Sequence, residues 1–170
     1  MLSLPNLRSV FRRRSTVSRR RKCPSAVENL EHRTLLAVVV SEFMASNETA
    51  LFDADQNASD WIELTNTGSQ PIDLKDWYLT DTANYPRWRF PISTVIHSSE
   101  SMVVFASGRD RVMPNGELHT NFRLSSRGEY IGLIHPDGVT VESQTVRRFP
   151  RECTNISYGE GSRSASTLLV

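Results

Sequence analysis

The sequence predicts an all-β domain, an antiparallel β-sandwich preceded by a basic, disordered N-terminal arm. Three observations carry that expectation. Beyond Ala37, apolar and polar residues alternate with the period of a strand, and nowhere do apolar residues recur at helical spacing over three turns. Gly, Pro, Asn and Asp interrupt this pattern at the short intervals of a sandwich. The charge is also divided. Residues 1–37 hold nine Lys or Arg against Glu28 and Glu31, a net +7, while the remainder holds eleven basic against seventeen acidic residues, a net −6.

Taken in order, Val38–Met44 is rich in β-branched residues and reads as the first strand. The polar, acidic "ASNETALFDADQNASD" reads as a long loop. Trp61–Asn66 alternates, with Ile62 and Leu64 on one face and Trp61, Glu63 and Thr65 on the other. Thr67-Gly68 makes a turn, Pro71–Leu74 resumes the sheet, and Trp77–Thr80 follows closely. "RWRFP" sets Trp88 and Phe90 opposite Arg87 and Arg89, and Pro91 ends the pairing. Ser101–Ala106 is apolar on both faces, as in a central strand. "LHTNFRLS", "EYIGLI" and "VTVESQTV" complete a set of eight or nine strands, the last two joined by the turn "HPDG".

The arm "FRRRSTVSRRRKCPS" neutralises phosphate in principle, but it lacks interleaved aromatics and any groove-reading motif. A solvated tail or targeting segment is the expectation, and nucleic acid is not an expected partner. The apolar run "LLAVVV" is too short and too far behind the arginines for a conventional export signal, and no apolar stretch reaches membrane-spanning length. Cys23 and Cys153 have no metal-ligand spacing, and a disulfide between a tail and a domain edge is not expected.

In combination, "VVVSEFMASN", "DWIELTNTGSQPIDLKDWYLTD", "RWRFP", "MVVFASGRDR", "LHTNFRLSSRGEYIGLIHPDG" and "ISYG" resemble the lamin tail domain in its bacterial, extracellular form. The resemblance covers roughly residues 38–160. It implies an immunoglobulin-like sandwich and an accessory module to which no catalytic residue can be assigned. Upstream, "LEHRTLL" (Leu30 to Leu36) is similar to a short signature near the start of large exported planctomycete proteins. That resemblance implies export to the cell surface. The organisation expected is therefore an arm or targeting segment at 1–37, a sandwich at 38–160 and a tail at 161–170. The abrupt ending also suggests the N-terminal part of a larger surface protein, such as an enzyme.

Candidate chemistries are few. Asp53, Asp55, Asn57 and Asp60 place oxygen ligands at spacing that begins like a calcium loop. The turn glycine and the bidentate glutamate are replaced by Ala58 and Leu64, so Ca²⁺ is only a weak expectation and no other cofactor is suggested. His32, His97, His119 and His135 are dispersed, with no pair at zinc-ligand spacing. Ser107 sits at a strand exit with no histidine near it in sequence, outside any nucleophile-elbow motif, and no phosphate-cradling glycine motif occurs. Trp61, Trp77 and Trp88 form a sugar-stacking platform if exposed and coplanar, but their favoured role is core packing. N-x-S/T sequons occur at Asn47, Asn57 and Asn155.

The function expected is a non-catalytic structural or interaction module of an exported protein, with a protein or cell-envelope component as partner. The alternative is a carbohydrate-binding accessory domain, with polysaccharide as partner. Deleting residues 1–37 is expected to leave the sandwich folded. Calorimetry checks this: the truncated chain should keep a cooperative melt.

Overall fold

The computed structural model describes residues 37–145 and 153–159. The expectations for the basic arm, Cys23, His32 and the terminal tail lie outside these residues. Among the described residues, twelve strands form: β1 Val38–Met44, β2 Trp61–Asn66, β3 Ile72–Asp73, β4 Tyr78–Thr80, β5 Trp88–Arg89, β6 Val95–Ile96, β7 Ser101–Phe105, β8 Arg111–Val112, β9 Leu118–His119, β10 Gly132–Ile134, β11 Val141–Gln144 and β12 Tyr158–Gly159. A six-stranded sheet runs β12-β1-β2-β7-β9-β8, a four-stranded sheet β11-β10-β4-β5, and β3 pairs β6.

One core joins the layers. Val38, Val40, Ile62, Leu64, Val104 and Leu118 of the first sheet meet Leu79, Trp88 and Leu133 of the second and Ile96 of the third. The face expected for Ile62 and Leu64 is the buried one. Trp61 lies on the opposite face of β2, where it packs with Met44 and Phe105 in a smaller cluster. β7 is covered on both sides because Val104 belongs to the central core and Phe105 to this outer one.

The pairing departs from the sequence expectation in one respect. β9 lies parallel to β7, with Phe105 opposite His119, and β8 returns antiparallel on its far side. The strands absent from the expected set, β6, β8 and β12, have two residues each, too few to display a period.

β1 carries a bulge. Val40 pairs with Leu64 and Glu42 with Glu63, leaving Ser41 extra. The insertion changes the inward set from Val38 and Val40 to Phe43, as one added residue must in a chain of period two. The bulge is fixed by Ser41 Oγ, which donates to Glu63 Oε1 at 2.6 Å and accepts from Thr65 Oγ1 at 2.7 Å. At the far end of β1, Gly159 lies so close that a Cβ there would stand 2.8 Å from the Ser41 carbonyl oxygen.

The two sheets are also sewn together by side chains. Ala37 and Val38 donate their amides to Glu142 Oε1 at 2.6 and 3.2 Å, and Val40 donates to Ser143 Oγ at 3.0 Å. Glu142 is buried, and its other oxygen meets His135 Nε2 at 2.8 Å. The His135 ring lies 4.1 Å from that of Trp77, so the chain of contacts runs from β1 through β11 to the central core. Leu133 and Ile134 support the hairpin whose turn, His135 to Gly138, closes by Gly138 N–H to His135 O at 2.9 Å with Gly138 at φ +72°.

Glu142→Ala would strand buried amide donors and is expected to lower unfolding stability by roughly 1–3 kcal/mol. Glu142→Gln keeps an acceptor oxygen and should recover part of that loss. Urea denaturation of the two variants beside the parent chain measures both effects.

Candidate functional site

The acidic loop after β1 is built around two buried side chains. Asn47 Nδ2 donates to the carbonyls of Leu51 (2.6 Å) and Ser59 (2.8 Å), while its Oδ1 accepts the amides of Ala50 (3.0 Å) and Leu51 (3.2 Å). Asp53 is equally occupied. Its Oδ1 accepts the amides of Asp55 (3.1 Å) and Asn57 (2.8 Å), and its Oδ2 meets Ser59 Oγ (3.3 Å) and Arg109 Nη1 (3.2 Å). Burial works to raise the Asp53 carboxyl, but the hydrogen bonds from Asn57 and the Arg109 charge outweigh it. The group ends below its usual range.

Asp55 faces the same cations. It pairs with Arg109 at 3.5 Å and with Arg111. Asp60 stands apart, accepting the Asn47 amide at 3.3 Å beside the Leu124 backbone. Of the four oxygen-bearing residues expected to begin a calcium loop, Asp53 and Asp55 thus share guanidinium partners, and Asp60 belongs to another set of contacts. Among the described residues, no group of three or more His, Cys, Asp or Glu is placed to hold a metal.

The loop forms one wall of an open basin of about 330 Å³. Asn57, Ala58, Ser59 and Asp60 face Ala106, Ser107, Arg109 and Arg123 across it. Ser107 is where the sequence misleads, because a histidine does lie beside it. Ser107 Oγ is 2.9 Å from His119 Nδ1, and His119 Nε2 is 3.0 Å from Glu117 Oε1. With a carboxylate on Nε2, the proton resides there, so Nδ1 accepts the hydroxyl proton of Ser107. Serine, imidazole and carboxylate then stand in line, as in a nucleophile relay.

Their surroundings give the relay a structural task. His119 is wholly buried, with its ring stacked on Phe105 at 5.5 Å. The relay ties together three segments. Ser107 Oγ also accepts the Arg109 amide at 3.3 Å, and Glu117 Oε1 accepts the Ala54 amide at 3.0 Å. One network therefore holds the acidic loop, the β7 exit and β9 in fixed relation. Glu117 and His119, two apart on extended chain, were the available sequence signal.

The remaining sequence candidates are scattered. Trp61, Trp77 and Trp88 are 8%, 9% and 2% exposed, and they share no common surface. Trp77 stacks on His135; Trp88 packs on Phe90 and donates its indole N–H to Asp110 Oδ1 at 3.0 Å. Trp88 does line a second depression with Asp76, Arg89 and Asn121. His97 is exposed in a turn, and Cys153 is exposed.

Acids at and around the basin respond to pH in opposite senses. Asp53, held below the ordinary aspartate value of 3.8, stabilises the fold above that pH and loses this contribution as pH falls through its depressed value. Burial raises Asp60 and Glu129, so their contribution favours the fold at low pH and diminishes as pH rises through their raised values. Asp53→Asn should therefore lower stability at neutral pH and flatten its acid decline, whereas Asp60→Asn should steepen that decline. Thermal melts from neutral pH down to about pH 3 test both signs.

No curated protein matches this chain. The family model described as Lamin Tail Domain matches residues 33–147, more than half of the chain and nearly all the strands described above. The chain belongs to the lamin tail domain family, and its two packed sheets are that family's immunoglobulin-like sandwich.

Proposed function

We propose that this chain serves as a non-catalytic recognition module of an exported or cell-surface bacterial protein, with a cell-envelope component as its partner. The observation that carries this reading is the pre-ordering of the loops at the basin. Asn47, Asp53 and the Ser107–His119–Glu117 relay fix the walls before anything binds. A wall already ordered loses little conformational entropy on association, which is how a modest surface attains useful affinity. The family assignment supports a module of this kind, and the export-type signature at Leu30 to Leu36 supports its location. Among the described residues, no helix is long and apolar enough to cross a membrane.

The test uses the full chain, immobilised and exposed to bacterial envelope preparations, with double-stranded DNA run alongside. Saturable envelope binding that disappears when the chain is heat-denatured is expected. Binding to DNA alone, lost steeply as salt is added, would transfer the activity to the N-terminal arginines and overturn the proposal.

A further inference from the structure

We propose that the basin is a receptor for a carboxylate carried beside hydroxyl groups, the chemistry of a uronic acid residue in an acidic polysaccharide. The inference rests on the recognition reading above and gives its ligand a chemical class.

Arg123 provides the anchor. It bridges to Ser107 in the backbone, and its Nε donates to the Ser107 carbonyl at 2.9 Å. Its stem lies along Gly108, where an added Cβ would stand 3.4 Å from both Cγ and Nε. Gly108 has φ +73°, so the close approach and the left-handed backbone both favour the residue present. The guanidinium plane is therefore set from both sides. Among the described residues its terminal nitrogens have no hydrogen-bond or ion-pair partner, although they belong to a residue lining the basin. Two fixed, parallel N–H donors match a carboxylate better than a point charge does.

Arg109, also on the wall, is differently placed. Asp53 and Asp55 already pair with its guanidinium, whereas Arg123 acts on Asp60 only through space, without a direct ion pair, so its terminal nitrogens stay open to an anion. Asp60 lines the same basin and sets the specificity. A carboxylate repels a second anion close to it, yet accepts hydrogen bonds from hydroxyls. A monoanion flanked by hydroxyls thus satisfies Arg123 and Asp60 together, while phosphate, carrying more negative charge at neutral pH, meets a stronger repulsion from Asp60. The small side chains of Ala58 and Ala106 leave room for a sugar ring. The basin volume lies at the lower end for small-ligand sites, suited to a single residue of a polymer.

Titration of the full chain with sodium glucuronate, followed by amide and Arg Nε–H shifts in NMR, tests the assignment. Saturable shifts at Ala106 to Arg109 and Arg123 are expected, with a Kd on the order of 1 mM. Glucose, acetate and inorganic phosphate should each bind at least about tenfold more weakly. Arg123→Gln should abolish the response while preserving the melt, and Arg123→Lys, which keeps the charge without the fork, should lose most of it. Asp60→Asn should narrow the margin between glucuronate and acetate. Absence of saturable shifts, an equal response to acetate, or glucuronate binding unaffected in either folded Arg123 variant would overturn the proposal. Envelope binding without glucuronate binding would leave the recognition module standing and remove only this ligand class; loss of both would remove both.

Discussion

The sandwich depends on a seam in which one sheet supplies hydrogen-bond acceptors to the exposed edge of the other. β1 pairs with β2 along its length, but β12 covers only Glu42 and Phe43 on the other side. The amides of Ala37, Val38 and Val40 are answered across the layers by Glu142 and Ser143. A buried amide without an acceptor costs far more than an average hydrogen bond contributes. The seam thus determines where the first strand can begin, and it brings β11 close enough to shut this side of the core. His135 and Trp77 carry the same constraint inward.

A second constraint governs the basin. Parallel pairing of β7 with β9 sets Phe105 beside His119, and two residues further on the same face comes Ser107. Had β9 run antiparallel to β7, that juxtaposition would not arise from this register. The β8–β9 hairpin makes the crossover possible within a few residues. Its turn is closed by Gly116 N–H to Met113 O and Met113 N–H to Glu117 O, which also fixes the residue that supports His119. Fold topology and site assembly are here the same event.

Much of the fold was legible because alternation survives wherever a strand is long and has one buried face. β1 and β2 follow the boundaries that alternation suggests, and Ile62 and Leu64 point inward as expected. The site was far less legible. Asp53 reads as a solvated acid because its immediate neighbours are polar, while its compensating cation, Arg109, lies far along the chain. Ser107 and His119 are joined by a pairing that local periodicity does not encode. The tryptophans, whose favoured role in the sequence was core packing, lie in two separate cores, Trp77 and Trp88 in the central one and Trp61 in the outer one.

The way Asn47 is used bears on how the protein must be made. Its side-chain amide is committed to Leu51 and Ser59 inside the folded loop, yet Asn47-Glu48-Thr49 is a glycan acceptor sequence. A sugar chain attached to that nitrogen during synthesis could not be accommodated in the closed loop, and the basin wall would lose its central support. Production through a eukaryotic secretory route would therefore set glycan transfer against folding at this one residue, whereas a bacterial host without that machinery poses no such conflict.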